Sequence, residues 1–560
     1  MTDGQTQGNG KGMKGIGILP RGVLVMSVGA SVLAAGLTLG SPSVAAQPSV
    51  CSAEPPAGAP IFEFAGRYDT DPPAGSAETA AEIVAYEDDT LYVMNIGTID
   101  VVDISDPSTP TLITQLALPG EPTGVAVSGG LVAVAVPATP KTDPGRVLFF
   151  RGDVQVGAVV VGALPDMVAF TPDGKLLAVA NEGEPNSYGF ADSVDPEGSI
   201  SVIVTQPFRT SGASQRAGSP QPVETISFAD FNIGGPRHAE LPGDVRIYGP
   251  GASVAQDLEP EFITIADDNR TAWVSLQENN ALAQIDLRNK TVTRITALGY
   301  ADHSLPGFGI DASDRDDVIN IENWPVKGMY LPDGIANYTV DGERYVLTAN
   351  EGDARDWPGI VPGGDEETQR ARSVADLTLF PEADDNAKLG RLNVTPLFPA
   401  TTNVDGELTS LYALGSRSFS VRAADGTLVW DSGDAFECIT ALVFPENFNS
   451  DHEENNFDNR SDNKGPEPEN VIVGEVDGRQ LAFIALERIG GVMVYDISDP
   501  TAPVFQQYLH TREFVDETVG PDSGPEGLVF VSASDSPTGQ PMLVAGHEVT
   551  GTVAIWILAS

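Results

Sequence analysis

Cysteine and histidine are nearly missing from this chain, with two and five copies in 560 residues. That scarcity excludes a Cys/His zinc cluster as its organising chemistry. Basic residues are also few: 31 Lys and Arg stand against 79 Asp and Glu, a formal charge of −48. Such a surface repels nucleic acid and anionic lipid and attracts cations. Aromatic residues make up only 7% of the chain and give no sign of a carbohydrate-stacking face. No G-x-S-x-G nucleophile elbow occurs, and no Ser, His and Asp grouping stands apart from the background. Beyond the N-terminus no apolar segment is long enough to span a membrane.

What is present is a repeat. PDMVAFTPDGKLLAVANEGE from Pro165, PEFITIADDNRTAWVSLQEN from Pro260, PDGIANYTVDGERYVLTANEGD from Pro332 and PENVIVGEVDGRQLAFIALER from Pro468 share one plan. Pro and an acidic residue open an alternating apolar strand; a turn and a second strand follow, often ending in Glu or Asn-Glu. Weaker copies open at Glu82, Pro122, Leu408 and Pro525. The turns, such as Asp173-Gly174, Asp341-Gly342 and Asp477-Gly478, carry the residues a tight hairpin needs. Most copies continue into a third and a fourth strand, as in TIDVVDIS then TLITQLAL. Four short antiparallel strands recurring at intervals of roughly 40 to 50 residues describe the blades of an all-β propeller. The count is eight blades, or seven if the divergent copy from Leu408 to Leu442 is not one. The last copy has only three strands, and IFEFAGRY at residues 61–68 is the orphan that completes it and closes the ring.

The first 46 residues stand outside this pattern. Lys11, Lys14 and Arg21 precede an apolar stretch from Val23 to Leu39, and Ser43-Val44-Ala45-Ala46 offers small-residue cleavage sites. This is the layout of a secretory signal peptide, the alternative being an uncleaved anchor. The expected organisation is therefore a leader over 1–46, a linker over 47–60 and a propeller domain over 61–560 with long acidic loops on one face. Cleavage removes three basic residues and one acidic residue, leaving about 28 against 78 and a charge near −50. The mature chain is expected outside the cytoplasm, secreted or held at the cell surface, with no transmembrane segment and no nucleic-acid partner. In an oxidising compartment Cys51 and Cys438 are able to pair, which spacing alone leaves open.

Acidic residues fall in two registers. One lies beside the start of the first strand: Glu82, Glu121, Asp166, Glu261, Asp333, Glu469 and Glu526. The other closes the second strand: Glu182, Glu278, Glu351, Glu487 and Glu548, with Asp353 just beyond Glu351, Asn95 in the first copy and Arg417 in the divergent one. In an antiparallel pair the start of one strand and the end of the next share one end. First strands line a propeller's channel, so both registers converge on one channel mouth. Crowded carboxylates raise each other's pKa unless cations neutralise them. Hard divalent ions with oxygen ligands suit such a site, Ca²⁺ first and Mg²⁺ second. The expected metal-binding set is Asp166, Glu182, Glu261, Glu278, Asp333, Glu351, Asp353, Glu469, Glu487, Glu526 and Glu548. The densest acidic loop, FNSDHEENNFDNRSDNKGPEPE from Phe448, lacks EF-hand spacing and reads as disordered or as ordered by a cation.

Three further stretches carry a resemblance: DASDRDDVINIENWPVKGMYLPDGIANY from Asp311, LTANEGDARDW from Leu347 and FDNRSDNKGPEPENVIVGEV from Phe457. Through them, and across roughly residues 60 to 558, the chain resembles the choice-of-anchor I family of bacterial secreted proteins, related to mesenchyme-specific cell-surface glycoproteins of biomineralising animals. The resemblance implies a secreted or surface propeller, and some members carry alkaline-phosphatase-like descriptions. This sequence ends at Ile557-Leu558-Ala559-Ser560 without a sorting motif, which sets it apart from that pattern.

Two functions fit these readings. The first is an exported binding protein that holds divalent cations at its carboxylate mouth and meets a cell-envelope or extracellular partner. The second is a calcium-dependent phosphoester hydrolase of alkaline-phosphatase or phytase type, in which clustered cations activate water. For the second, Arg355, Arg417 and Arg488 are the phosphate-gripping candidates, with charge balance against neighbouring carboxylates as their alternative role.

Overall fold

The computed structural model describes residues 52–71, 80–209, 222–515 and 519–560. The expected leader and Cys51 lie outside them. Seven four-stranded antiparallel sheets follow one another along the chain. Their first strands are Val84–Glu87, Gly124–Ser128, Pro165–Phe170, Pro260–Ile265, Ile335–Val340, Pro468–Val476 and Pro525–Val531. We number the sheets blades 1 to 7 in that order. Each first strand touches its counterparts in the blades before and after it, and that of blade 7 touches that of blade 1, so the ring closes.

The core lies between blades. A separate apolar cluster fills each of the seven interfaces, from Met94 with Val132 between blades 1 and 2 to Met542 with Leu91 between blades 7 and 1. A blade is therefore covered on both faces, which is why second strands read as unbroken apolar runs: Leu131–Val136, LVAVAV, is buried along its whole length.

Blade 7 takes its fourth strand from the opposite end of the chain. Phe62–Asp69 pairs antiparallel with Thr552–Leu558, as IFEFAGRY led us to expect. Phe62 packs edge-on against Phe483 of blade 6 at 5.5 Å, while the Tyr68 hydroxyl donates to Asp100 of blade 1 at 2.8 Å. One strand thus fastens to both neighbouring blades.

The count of eight is corrected to seven sheets among the described residues. The copy read from Leu408 to Leu442 is not a blade: its strands Phe419–Ala423 and Leu428–Asp431 are the third and fourth strands of blade 5, separated from the second by a long insertion. Residues 303–334 and 350–413 supply a further apolar cluster that includes Trp324, Phe380, Leu392 and Leu411. The insertion between blades 5 and 6 carries the helix Ala435–Val443, and Cys438 on it is disulfide-bonded. The acidic loop after it is held by the connection between blades 6 and 7: Arg512 donates to the carbonyls of Asp451 and Glu454, and the Ser523 hydroxyl donates to that of His452 at 2.6 Å.

Candidate functional site

Two cavities run end to end along the ring axis. The inner one, about 420 Å³, is the central channel, lined by first strands and by Glu82, Asp166, Glu261, Asp333, Glu469 and Glu526. The outer one, about 550 Å³, opens beyond it and is lined by Glu351, Asp353, Asp451, Glu453, Glu487 and Glu548 with His452, Arg460, Arg488 and Gln277. Glu261, Asp333, Glu469 and Glu526 line both, and so form the throat between channel and mouth.

Backbone geometry explains how the throat is built. In blades 3, 4, 6 and 7 the first strand opens on a Pro paired with the end of the second strand: Pro165 with Asn181, Pro260 with Leu276, Pro468 with Leu486 and Pro525 with His547. Pairing then resumes three residues on in the first strand against two in the second, and the acidic residue sits inside that irregularity. Pro is tolerated at a strand's first position, and a bulge re-aims the side chain beside it. The same pairings carry Glu182, Glu278, Glu487 and Glu548 to the mouth end, since each follows a second-strand terminus.

Close backbone approach tightens the throat. Gly527 donates its N–H to the Glu82 carbonyl at 2.8 Å, and Gly334 donates to that of Glu469 at 3.0 Å. A Cβ on Gly527 would lie 2.4 Å from the Glu82 oxygen, and one on Gly334 would lie 2.6 Å from the Asn470 Cα. Only glycine admits that spacing.

Not every acidic residue of the two registers joins this site. Glu121 of blade 2 is exposed. Glu182 and Glu278 line neither cavity but belong to an adjoining charged cluster with Glu184 and Glu259. In the Asn-Glu pairs the two residues part company. The amide of Asn181 donates to Ser199 and Ser201, and that of Asn350 to Ser418 and Ser420, satisfying buried sheet ends.

The channel and throat carboxyls are enclosed by protein except along the channel, and that enclosure governs their protonation. Burial first, and neighbouring carboxylates second, push Glu82, Asp166, Glu261, Glu469 and Glu526 well above the ordinary carboxylate value. Burial likewise raises Asp333 to about 6, against a hydrogen bond from Glu469. Glu351 rises to about 8 by burial, although Lys464 opposes the rise, and Glu278 to about 7 by burial against Arg355. The Oε2 atom of Glu261 is buried with no hydrogen-bond partner among the described residues.

The basic groups of the mouth are engaged with other carboxylates. Lys464, on the acidic loop, reaches Glu351 at 2.7 Å, Glu467 at 3.0 Å and Asp353 at 3.3 Å. Glu467 also holds Arg460 at 2.5 Å and Arg488 at 3.0 Å. Burial alone would raise the pKa of Glu467, but its three cations outweigh burial and hold it well below the usual range. Glu467 is thus the hub of a charge network, with its oxygens already occupied by cations. The His452 ring sits 2.9 Å from Glu487 and 3.6 Å from Glu548. Burial would lower its pKa, yet the Glu487 hydrogen bond and charge prevail and raise it. Sequence patterning missed His452, Lys464, Arg460 and Glu467, because they lie on an irregular loop outside the repeat.

Two of the three phosphate-gripping candidates are turned away from the mouth. Arg355 is fully buried, paired with Asp257 and with Glu259 at 2.8 Å. Arg417 is buried against Glu437 at 2.5 Å and donates to the carbonyls of Asp311, Ser461 and Asn463. Charge balance is the role these contacts give both. Arg488 alone of the three lines the mouth, where it already pairs with Glu467 and with Glu487 at 3.1 Å.

Comparisons with known proteins bear on this arrangement. The Choice-of-anchor I domain profile matches residues 82–500. The chain is 30% identical over 304 residues to a mesenchyme-specific cell surface glycoprotein of Strongylocentrotus purpuratus, covering 48% of this chain and 39% of that protein. It is 31% identical over 192 residues to Gigasin-3a of Magallana gigas, covering 32% of this chain and 67% of that protein. The matched segment thus spans well under half of the sea-urchin relative. Among solved structures, the β-propeller domain of Cps50 (Swd1) from Myceliophteria thermophila aligns with 89% of this chain and 100% of that one, at 9% identity and a TM-score of 0.40. That likeness is too distant to carry any argument about the site. Among the described residues no helix is long and apolar enough to cross a membrane.

Proposed function

The chain belongs to the choice-of-anchor I family, and from that premise we propose that it is an exported binding protein that takes up divalent cations, calcium before magnesium, at its channel mouth. The observation that carries the reading is the throat. Four carboxylates from four different blades face one narrow passage, while the basic groups nearby are tied to Glu351, Glu467 and Glu487. A hard dication with oxygen ligands relieves both the desolvation and the mutual repulsion of such a set. The candidate ligands are Glu261, Asp333, Glu469 and Glu526, with Glu487 and Glu548 above them and Asp166 below.

Location outside the cytoplasm is part of the same proposal. It is supported by the leader-like N-terminal sequence and by the cell-surface description of the sea-urchin relative. A cell-envelope or extracellular partner would meet the loops around the mouth, since function on a rigid scaffold is usually carried by loops.

The alternative, calcium-dependent phosphoester hydrolysis, needs positive groups free to grip phosphate oxygens. The ion pairs of Arg355 and Arg417 count against it. Calcium titration by calorimetry on the mature chain, followed by a phosphomonoester and phytate, separates the two. Chelator-reversible binding weakened by Glu469→Gln and Glu526→Gln, without phosphate release, is the expected result; calcium-dependent turnover would replace the binding reading with the hydrolase.

A further inference from the structure

A second acidic group lies outside the mouth. Carboxylate oxygens of Asp311, Asp316 and Asp458 come within 4.8 Å of one another, and none of the three lines either axial cavity. Asp311 and Asp316 belong to the insertion before blade 5, and Asp458 to the acidic loop before blade 6. Asp311 and Asp458 are 0% and 2% exposed, and Asp316 is half-buried.

An independent observation points to a missing ligand. The Oδ2 atom of Asp458 is buried with no hydrogen-bond partner among the described residues, while its Oδ1 accepts the Ser461 hydroxyl at 2.5 Å. Asn449 donates to the same Ser461 hydroxyl oxygen at 2.9 Å, and its own Oδ1 is buried and unpartnered as well. A buried oxygen left without a partner is costly, and a charged one more so. The nearby guanidiniums do not relieve this: Arg315 pairs with Asp314, Arg391 with Asp314 and Asp462, and Arg417 with Glu437.

The donor set is entirely oxygen, with three carboxylates and no imidazole or thiolate. Such a set selects a hard cation over zinc. Calcium accepts many protein oxygens in flexible geometry, whereas magnesium keeps several waters and rarely takes an all-protein cage. We propose that Asp311, Asp316 and Asp458 form a calcium site that clamps the insertion before blade 5 to the loop before blade 6, with the Asn449 amide oxygen as a fourth donor. Arg417 is its positioning residue, because it donates to the Asp311 carbonyl at 2.6 Å and to the Ser461 carbonyl at 2.8 Å, joining both loops behind the carboxylates. The clamped loop also carries His452, Glu453 and Arg460 to the mouth, so calcium here fixes the mouth's outer wall without entering it.

The test uses the chelator-treated full mature chain, calcium alone as ligand, and two readouts: bound calcium counted after equilibrium dialysis, and hydrogen exchange of amides in residues 311–320 and 449–461. Asp316→Asn and Asp458→Asn are each expected to lose one calcium equivalent and to abolish a calcium-induced slowing of at least tenfold in those amides. Glu469→Gln, in the throat, is expected to leave that slowing intact, so failure of the throat reading and failure of this one are distinguishable. Asp316 is half-buried and among the described residues accepts only the Val318 N–H, at 3.3 Å, so its amide variant decides the matter if Asp458→Asn does not fold. Wild-type calcium stoichiometry in Asp316→Asn, with calcium still slowing exchange in both loops, would overturn the proposal.

Discussion

Glu467→Gln is the sharpest single perturbation of the charge network that shapes the mouth. The Glu467 side chain is 0% exposed and meets Arg460 at 2.5 Å and Lys464 and Arg488 at 3.0 Å. The amide keeps the volume and removes the one negative charge that all three cations share. Removing one partner of a buried pair costs about 3–5 kcal/mol, because the remaining charge is left in a low-dielectric surrounding. Here three cations lose that partner, and Glu351, Asp451 and Glu487 recover part of the loss through their own contacts with Lys464, Arg460 and Arg488. The expected destabilisation at pH 7 is therefore about 3–5 kcal/mol rather than three times that. Equilibrium urea denaturation of wild type and variant, in chelator, measures it. The pH dependence supplies a second check. The folded-state pKa of Glu467 lies well below its ordinary 4.5, so its contribution is fully present above about pH 4.5 and fades as pH falls through the folded value. The gap between the two proteins should narrow in acid. A destabilisation under about 1 kcal/mol, or a gap that stays constant into acid, would refute the hub.

Other consequences can be checked with the same protein. Arg355→Ala should destabilise the fold by about 3–5 kcal/mol through the stranded Asp257 and Glu259, read by denaturation; a folded, equally stable variant would reopen its assignment as a phosphate-gripping group. Gly527→Ala should cost about 1–3 kcal/mol by overpacking, since its Cβ would lie 2.4 Å from the Glu82 oxygen, and a neutral effect on melting would show that the throat strands part easily. Glu351 and the throat carboxyls have folded pKa values above the unfolded one, so their contribution is fully present below about pH 4.5 and is lost as pH rises toward 8. Scanning calorimetry should show the metal-free protein losing stability across that window and calcium restoring more of it at pH 8 than at pH 5; a calcium effect independent of pH would contradict this.

How much of this was legible in the sequence follows from what each feature depends on. The Pro-acid-apolar phrase marks first strands because Pro and alternation are local signals, and Phe62–Asp69 declared itself by being one strand too many. The blade count was not legible at the divergent copy. Phe419–Ala423 has the pattern of a strand, but nothing in that pattern says that its partner is Glu343–Ala349, across a long insertion. The converging carboxylates could be placed from antiparallel pairing alone, whereas the register irregularities that aim Asp166, Glu261, Glu469 and Glu526 require backbone geometry. Asn181 and Glu182 look equivalent as neighbours, yet one satisfies a sheet end and the other joins the acidic cluster. Lys464, His452 and Glu467 were invisible because irregular loops carry no period. The choice between phosphate grip and charge balance for Arg355 and Arg417 is not legible in sequence, because their carboxylate partners lie 96 and 20 residues away.

The central claim, a cation held at the throat, is tested most directly by a crystal of the protein soaked in calcium and read by anomalous difference density. A peak coordinated by oxygens of Glu261, Asp333, Glu469 and Glu526, removed by chelator, is the expected result. Density in the throat explained by water alone, at calcium concentrations that saturate the protein in solution, would contradict it.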